Sequence, residues 1–455
     1  MTSPARPNIL VVVMDDVRFD DLGFAGHPFV RTPNFDRVAM DGIRFQNAFA
    51  PVPLCSPNRA CILTGQYAHT HGITDNRDRS AQSHKLATFP LALQRIGYDT
   101  AFIGKWHMGL DDRPRPGFNE WLSFSGQGKY RDPDMNHNGE LCTLRGYATD
   151  ILSERAAEFI RRERDRAFLV YLSHKAVHPN LFQDADGSIR SIPADGGFTP
   201  PDRLKRLYEK EPIRRRPNAY SFGEGKPALQ RQLSGVPPLG PSTGTPDHVI
   251  RNRLRILTAA DEAFGTVLDA LEETGQIDDT LVVLTSDHGY FYGEHGLNEE
   301  RRLAYEESIR VPLAMRWPRL IAAGAESGCF ALSVDIAPTI LELAGAGPHP
   351  ASHGRSLVPL LAGAAPADWR RSVLIEYFSD AVWPRMVNMG YQAVRTERWK
   401  YIRYVDIEAM DELYDLEADP YEIRNVFEDS NLDGRKAELA AELDRLLGET
   451  EAPRR

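Results

Sequence analysis

Short runs of uninterrupted apolar residues constrain this chain's fold more than any other feature. Asn8–Met14, Phe168–Ser173 and 280–285 are apolar on both phases of a strand's alternation, which suits strands buried on both faces and not strands with a wet side. The segment 98–103 adds a further strand. Between and around them lie helical patterns. Thr32-Pro33 opens one that runs to about Asp41 and stops at Gly42, and a long one spans 246–274, with caps and prolines where helices prefer them. Strand and helix therefore alternate, and the expected fold class is α/β: a large, mainly parallel sheet flanked by helices. Ligands in such folds sit where the carboxyl ends of the strands meet the loops.

Two segments interrupt this rhythm. The stretch 184–244 is rich in Pro, Gly and Arg with weak periodicity, as expected of an excursion across the active face. A second break falls at 345–367. Beyond it, Ser372–Tyr377, Tyr391–Thr396 and Trp399–Tyr404 read as strands and 435–447 as a closing helix. The expected division is a catalytic domain over 1–365 and a small C-terminal antiparallel α+β domain over 366–455.

Bulk properties exclude several classes. A formal net charge of −10 over 455 residues is the wrong sign for a general nucleic-acid binder. No apolar run approaches the length of a membrane span; Ile9 to Met14 is far too short and runs directly into Asp15 and Asp16 with no cleavage-site pattern, so it reads as core strand and not as a signal peptide. The four cysteines, Cys55, Cys61, Cys142 and Cys329, lack the spacing of a disulfide framework, and a cytoplasmic, reducing setting is expected.

The unusual residues cluster at expected strand ends. Asp15 and Asp16 end the first strand, and adjacent carboxylates need a counter-charge; alone, such a pair is more often a loop cap. Ser286-Asp287-His288-Gly289 brings another carboxylate and an imidazole to the same edge. Three aspartates with one further donor suit a hard cation such as calcium or magnesium, and His288 leaves room for a softer one. In Cys55-Ser56-Pro57-Asn58-Arg59, Ser56 reads as an N-cap and Pro57 as the first helical residue, with Gly65 as the stop. That places Cys55 just before a helix N-terminus, which favours an anion. An arbitrary free cysteine is a small core residue; the Cys-x-Pro-x-Arg pattern, followed by Leu63-Thr64-Gly65, sets this one apart. Lys105 and His107, two apart after a strand, share a face if the chain stays extended; otherwise they are a surface lysine and a loop histidine.

These blocks, in this order and over nearly the whole chain, resemble the sulfatase family of the alkaline-phosphatase superfamily. The resemblance also takes in Pro7-Asn8-Ile9, Thr32-Pro33-Asn34, Gly104-Lys105-Trp106-His107, the run from Tyr305-Glu306-Glu307 to Pro312, the Asp335–Thr339 block and the C-terminal Glu412-Leu413-Tyr414, Asp419-Pro420, Glu422 and Asn425. It implies an alkaline-phosphatase-like sheet and a sulfuric ester hydrolase, arylsulfatase-like, acting on a small-molecule or sugar sulfate. It implies that a formylglycine-generating maturation enzyme oxidises Cys55, and that one divalent cation binds Asp15, Asp16, Asp287, His288 and the altered Cys55. Calcium is the first expectation, with magnesium and manganese as alternatives. Arg59 would orient the nucleophile, Lys105 bind the sulfate, His107 touch the formylglycine, and His178 protonate the leaving group. His174 and Lys175 stay open between rim and functional positions, and Tyr305, Glu306 and Glu307 are read as structural.

One departure stands out. Where the family usually has a lysine, four residues before Tyr305, this chain has Arg301, followed by Arg302; either guanidinium would grip an oxyanion at two points, and the alternative is that both are solvated charges. The rival on the same scaffold is a phosphonate monoester or phosphodiester hydrolase, and the rival of another class is a silent binding protein that has kept the fold. A homo-oligomer is open.

Overall fold

The computed structural model describes residues 6–191, 197–349, 351–379 and 382–452. Ten strands form the main sheet: β1 (Asn8–Met14), β2 (Ile43–Phe49), β3 (Asp99–Lys105), β4 (Glu120–Phe124), β5 (Asp134–His137), β6 (Glu140–Thr143), β7 (Phe168–Ser173) and, after the small hairpin β8 (Phe182–Gln183) and β9 (Ile189–Ser191), β10 (Thr280–Ser286), β11 (Leu313–Arg316) and β12 (Ala325–Leu332). Their order is β12-β2-β11-β10-β1-β7-β3-β4-β5-β6. The five central strands, β10 to β4, are all parallel. Antiparallel pairing begins at β11 on one side and at β5 on the other.

Buried on both faces, β1 divides its residues between two layers because successive side chains leave a strand on opposite sides. Leu10, Val12 and Met14 pack with Phe35, Leu152, Leu254 and Phe264, which come from the helices Pro33–Met40, Ala148–Ile160 and Asp247–Glu273. Ile9, Val11 and Val13 pack with Ile62, Leu93 and Ile340, from the helices Cys55–Thr64, Phe89–Arg95 and Ile336–Ala344. Each central strand thus lies between two helical layers, and its charged residues are displaced to its ends.

The second sheet is antiparallel: β13 (Ser372–Tyr377), β14 (Tyr391–Thr396), β15 (Trp399–Tyr404) and β16 (Glu412–Asp415), in chain order. The first three match the expected runs; β16 is additional. The helix Asp433–Glu449 lays Leu439, Leu443 and Leu447 on this sheet. Its core is continuous with Phe49, Leu54, Tyr305 and Phe330 from the large sheet's side. The Arg-rich excursion is tied down across this seam. Arg216 bridges Asp20 and Glu307, Asn218 donates to Glu307 at 3.0 Å and to the Tyr421 carbonyl at 2.9 Å, and the Lys226 ammonium donates to the Tyr414 hydroxyl and the Glu422 carbonyl, each at 2.6 Å.

Candidate active site

Strands β1 and β10 are parallel neighbours with Met14 opposite Ser286, so Asp15-Asp16 and Asp287-His288 leave the sheet side by side. Asp16 takes a left-handed φ of 63°, uncommon for a residue with a side chain and found at functional turns. The turn is held because the Asp16 amide donates to Asp287 Oδ1 at 3.0 Å and the Val17 amide to Ser286 Oγ at 2.9 Å. On the other strand end, a Cβ on Gly289 would lie 2.0 Å from the Glu307 carbonyl oxygen; only glycine lets the Tyr305-Glu306-Glu307 segment close in behind His288.

Cys55 enters from the helix below. The expectation of a Ser56 cap is corrected here: the helix runs Cys55–Thr64 with Leu54 as an extended N-cap residue, so Cys55 is its first residue. The Ser56 hydroxyl instead donates to the His107 carbonyl, and the Ser56 amide donates to Asn76 Oδ1 at 3.1 Å. Gly65, at φ 71°, ends the helix as expected. Asn58 ties it to β10 through the Asp287 carbonyl. One turn on from Cys55, the Arg59 guanidinium meets Asp287 Oδ2 at 2.9 Å, Asp15 Oδ1 at 3.5 Å and Ser173 Oγ at 2.6 Å.

The acidic residues and the thiol converge. Ligand atoms of Asp16, Cys55 and His288, and likewise of Asp15, Cys55 and Asp287, lie within 4.8 Å of one another, all buried. Among the described residues Asp16 Oδ2 is buried and accepts no hydrogen bond, and Asp15 Oδ1 accepts none although Arg59 lies 3.5 Å away; such oxygens are costly to bury unless a cation offsets them. Ring Nδ1 of His288 sits 2.9 Å from the Gly289 carbonyl, and Nε2 sits 3.2 Å from Cys55 Sγ and 3.3 Å from Asp16 Oδ1. A carbonyl partner fixes the hydrogen on Nδ1 and turns Nε2 toward the cluster, as in histidines that bind metals. Burial lowers the His288 pKa, but Asp287, Cys55 and Asp16 outweigh it and raise it to about 9; the same negative field favours a divalent cation. A hard-cation site of carboxylate oxygens with one imidazole therefore fits these residues.

Positive groups ring the cluster. The Lys105 ammonium pairs with Asp15. Arg301 Nε donates to Asp16 Oδ1 at 2.8 Å, so the arginine that replaces the usual lysine does reach the site. His178 is buried with Nδ1 2.9 Å from the Pro179 carbonyl, and burial followed by Lys105 and Arg301 holds its pKa well below the ordinary range. Lys175 donates to the same carbonyl at 2.7 Å and is pushed down to about 7 by burial and then Lys105. His174 points elsewhere, with its ring 3.5 Å from Ser153 on the helix Ala148–Ile160, and is a core residue. The extended path assumed from Lys105 to His107 is also corrected: Lys105 ends β3, but His107 has φ 57°, so the chain turns between them. Gly104 allows the turn's close approach, since a Cβ there would meet the Ser173 carbonyl at 1.8 Å.

Sequence reasoning missed Arg253. Its guanidinium lies 3.7 Å from the Tyr290 ring centroid and donates to the Asp16 carbonyl at 2.6 Å. The available signal was its position on an apolar helical face with Ile250, Leu254 and Leu257, where an arginine needs a buried partner.

Comparison with known proteins identifies the family. The family model described as Sulfatase matches residues 7–346, and the model described as N-sulphoglucosamine sulphohydrolase, C-terminal, matches residues 293–449. The chain is 35% identical to the N-acetylglucosamine-6-O-sulfatase of Bacteroides thetaiotaomicron, over 98% of this chain and 86% of that one. A solved structure of a protein in complex with its substrate D-glucosamine-2-N,6-O-disulfate superposes with a TM-score of 0.83 at 30% identity, covering 98% of both chains. The phosphonate monoester hydrolase of Agrobacterium radiobacter, at 23% identity and a TM-score of 0.74 over 98% of this chain and 96% of that one, shares the fold.

Proposed function

We infer, from the premise that this chain belongs to the sulfatase family and hydrolyses sulfate esters, that its substrate is a glucosamine-type sugar carrying a 6-O-sulfate. The relative at 35% identity carries that activity in its name, and the neighbouring structure holds a glucosamine disulfate. The observation that carries the site assignment is the meeting of Asp15, Asp16, Asp287 and His288 around Cys55, inside a ring of Arg59, Lys105 and Arg301.

In this reading Asp15, Asp16, Asp287 and His288 would hold a divalent cation, calcium first, which beside a formylglycine made from Cys55 by a maturation enzyme would supply the acidity that turns a hydroxyl at position 55 into a nucleophile for sulfur. The residues of the chain do the rest by position and charge. A sulfuryl group in transfer carries its charge on the outer oxygens, as a phosphoryl group does, so fixed donors aimed there lower the barrier. Lys105 and Arg301 supply those donors. Arg59, locked between Asp287 and Ser173, fixes the orientation of the residue at position 55. His178 keeps a hydrogen on Nδ1 for the Pro179 carbonyl and turns Nε2 to the leaving oxygen; the incoming anion offsets Lys105 and Arg301 and lets Nε2 carry the proton it delivers. His107 would accept the proton of the second hydroxyl at position 55 as the C–O bond to sulfate breaks and the aldehyde is restored.

The test is kinetic and chemical together. After co-expression with a maturation enzyme, mass analysis of the peptide containing Cys55 is expected to show the aldehyde, and glucosamine-6-sulfate is expected to be cleaved at least ~100-fold better, by kcat/KM, than a phenyl phosphonate ester. A thiol at position 55 in fully active protein would overturn the covalent scheme. A preference for the phosphonate would move the assignment to the rival hydrolase.

A further inference from the structure

We propose that Gln183 is a positioning residue that sets the tautomer of His107, keeping hydrogen on Nε2 and leaving Nδ1 as the proton acceptor; this rests on the role given to His107 above. Three hydrogen bonds carry it. Gln183 Nε2 lies 3.0 Å from the Gly187 carbonyl oxygen, which can only accept, so the nitrogen end of the amide must face Gly187 and cannot be exchanged with the oxygen end. Gln183 Oε1 is thereby turned toward His107 Nε2 at 2.8 Å and Gln127 Nε2 at 3.1 Å. An amide oxygen also only accepts, so His107 Nε2 must bring the hydrogen.

The remaining nitrogen then bears a lone pair. His107 Nδ1 is buried and has no hydrogen-bond partner among the described residues, a state that is unfavourable in a resting core and useful in a base. The main chain fixes the ring from the other side: φ at His107 is 57°, and its carbonyl accepts from the Ser56 hydroxyl, one residue from Cys55. Burial, followed by Lys105, keeps the imidazole well below its ordinary pKa, consistent with a single ring hydrogen. The hairpin of β8 and β9 gains a purpose, because it is the element that delivers the Gln183 amide. When Nδ1 takes up a proton, Nε2 keeps its bond to Gln183 Oε1, which shares the new positive charge; after sulfate leaves, Nδ1 returns the proton to solvent.

The experiment uses the full chain with selectively 15N-labelled histidine, before and after conversion of Cys55, with His107→Asn to assign the signal. Long-range proton–nitrogen correlation is expected to show the Nε2–H tautomer at His107. Gln183→Met, close in shape but without the acceptor, is expected to lose that preference and to drop kcat about ten- to hundredfold on glucosamine-6-sulfate with KM changed by less than about twofold. Gln127→Met is expected to preserve the tautomer. An Nδ1–H tautomer in the unsubstituted protein overturns the proposal without reference to any variant, and so does a Gln183→Met protein with unchanged tautomer and kcat. Full turnover by His107→Ala would instead remove the catalytic role from which the proposal proceeds, whatever the tautomer.

Discussion

Arg301 shows what a single substitution of residue type can do while charge is kept. Its Nε is bonded to Asp16 Oδ1 and one terminal nitrogen donates to the Glu299 carbonyl at 3.3 Å, so the guanidinium plane is fixed and its remaining hydrogens point in set directions, whereas a lysine would offer one mobile point charge. Arg301→Lys is therefore expected to lower kcat/KM about tenfold and Arg301→Ala about 100- to 1,000-fold, measured by initial rates at unchanged melting temperature; equal rates for all three proteins would place Arg301 outside the reaction. Asp287 carries a second expectation. It accepts from Arg59 and from the Asp16 amide besides facing the cluster, so Asp287→Ala should remove bound metal and activity together, read by elemental analysis and turnover on the same sample. Most of this site was legible from residue types at strand ends, because carboxylates, an imidazole and a patterned cysteine are conspicuous where apolar runs stop. Arg253 and Gln183 were not, since their meaning lies in which carbonyl or ring they meet, and that depends on contacts far apart in sequence. The cap assigned to Ser56 failed for a related reason: its hydroxyl found the carbonyl of His107, which no local rule anticipates.

At the scale of elements, the glycines and caps explain why particular short blocks sit where they do. Gly289→Ala would push a methyl into the Glu307 carbonyl and move Asp287 and His288 off the end of β10; loss of activity with a lowered melting temperature is expected, and an unperturbed enzyme would contradict the close approach. Thr32-Pro33-Asn34 has a similar logic. The helix Pro33–Met40 receives no side-chain cap from Thr32; Asp261, from the helix Asp247–Glu273, accepts from the Phe35 amide at 2.7 Å and from Asn34 Nδ2 at 3.2 Å. Burial raises the Asp261 pKa from 3.8 to about 7, against the hydrogen bonds to Phe35 and Asn34. The folded chain then holds a proton that the unfolded chain gives up near pH 4. Its contribution to stability is full below that pH, falls by up to about 1.4 kcal/mol per unit as pH rises toward 7, and is flat above. Asp261→Asn should flatten this window in urea titrations at successive pH values. Four of the five central strands were readable because burial on both faces writes itself into composition; β4 and β16 were not, because their runs are short and carry polar residues.

The whole molecule depends on a buried charge network that joins its two sheets. Lys400, on β15 and fully buried, meets Glu306 at 2.8 Å and Glu422 at 2.6 Å, and the Glu306 amide donates to Glu422 at 2.8 Å. Two blocks more than a hundred residues apart in the chain thus share one cation, which gives a physical reason for both. Glu306 lies five residues after Arg301, and Tyr305 bonds Glu412 of β16 at 2.8 Å, so the seam also sets where the arginine stands. Glu306 has a second partner in Arg395 at 3.3 Å, so removing Lys400 leaves Glu422 as the carboxylate buried without its counter-charge, a cost of about 3–5 kcal/mol. Lys400→Met is therefore expected to lower stability by that order in urea and to reduce kcat/KM even where the large sheet remains folded. Adding Glu422→Gln should restore part of the loss, since it removes the stranded charge. If the double variant were as unstable as the sum of the two single ones, the coupling across the seam would be absent, and the second sheet would be a passenger on the first and not part of the frame that holds Arg301.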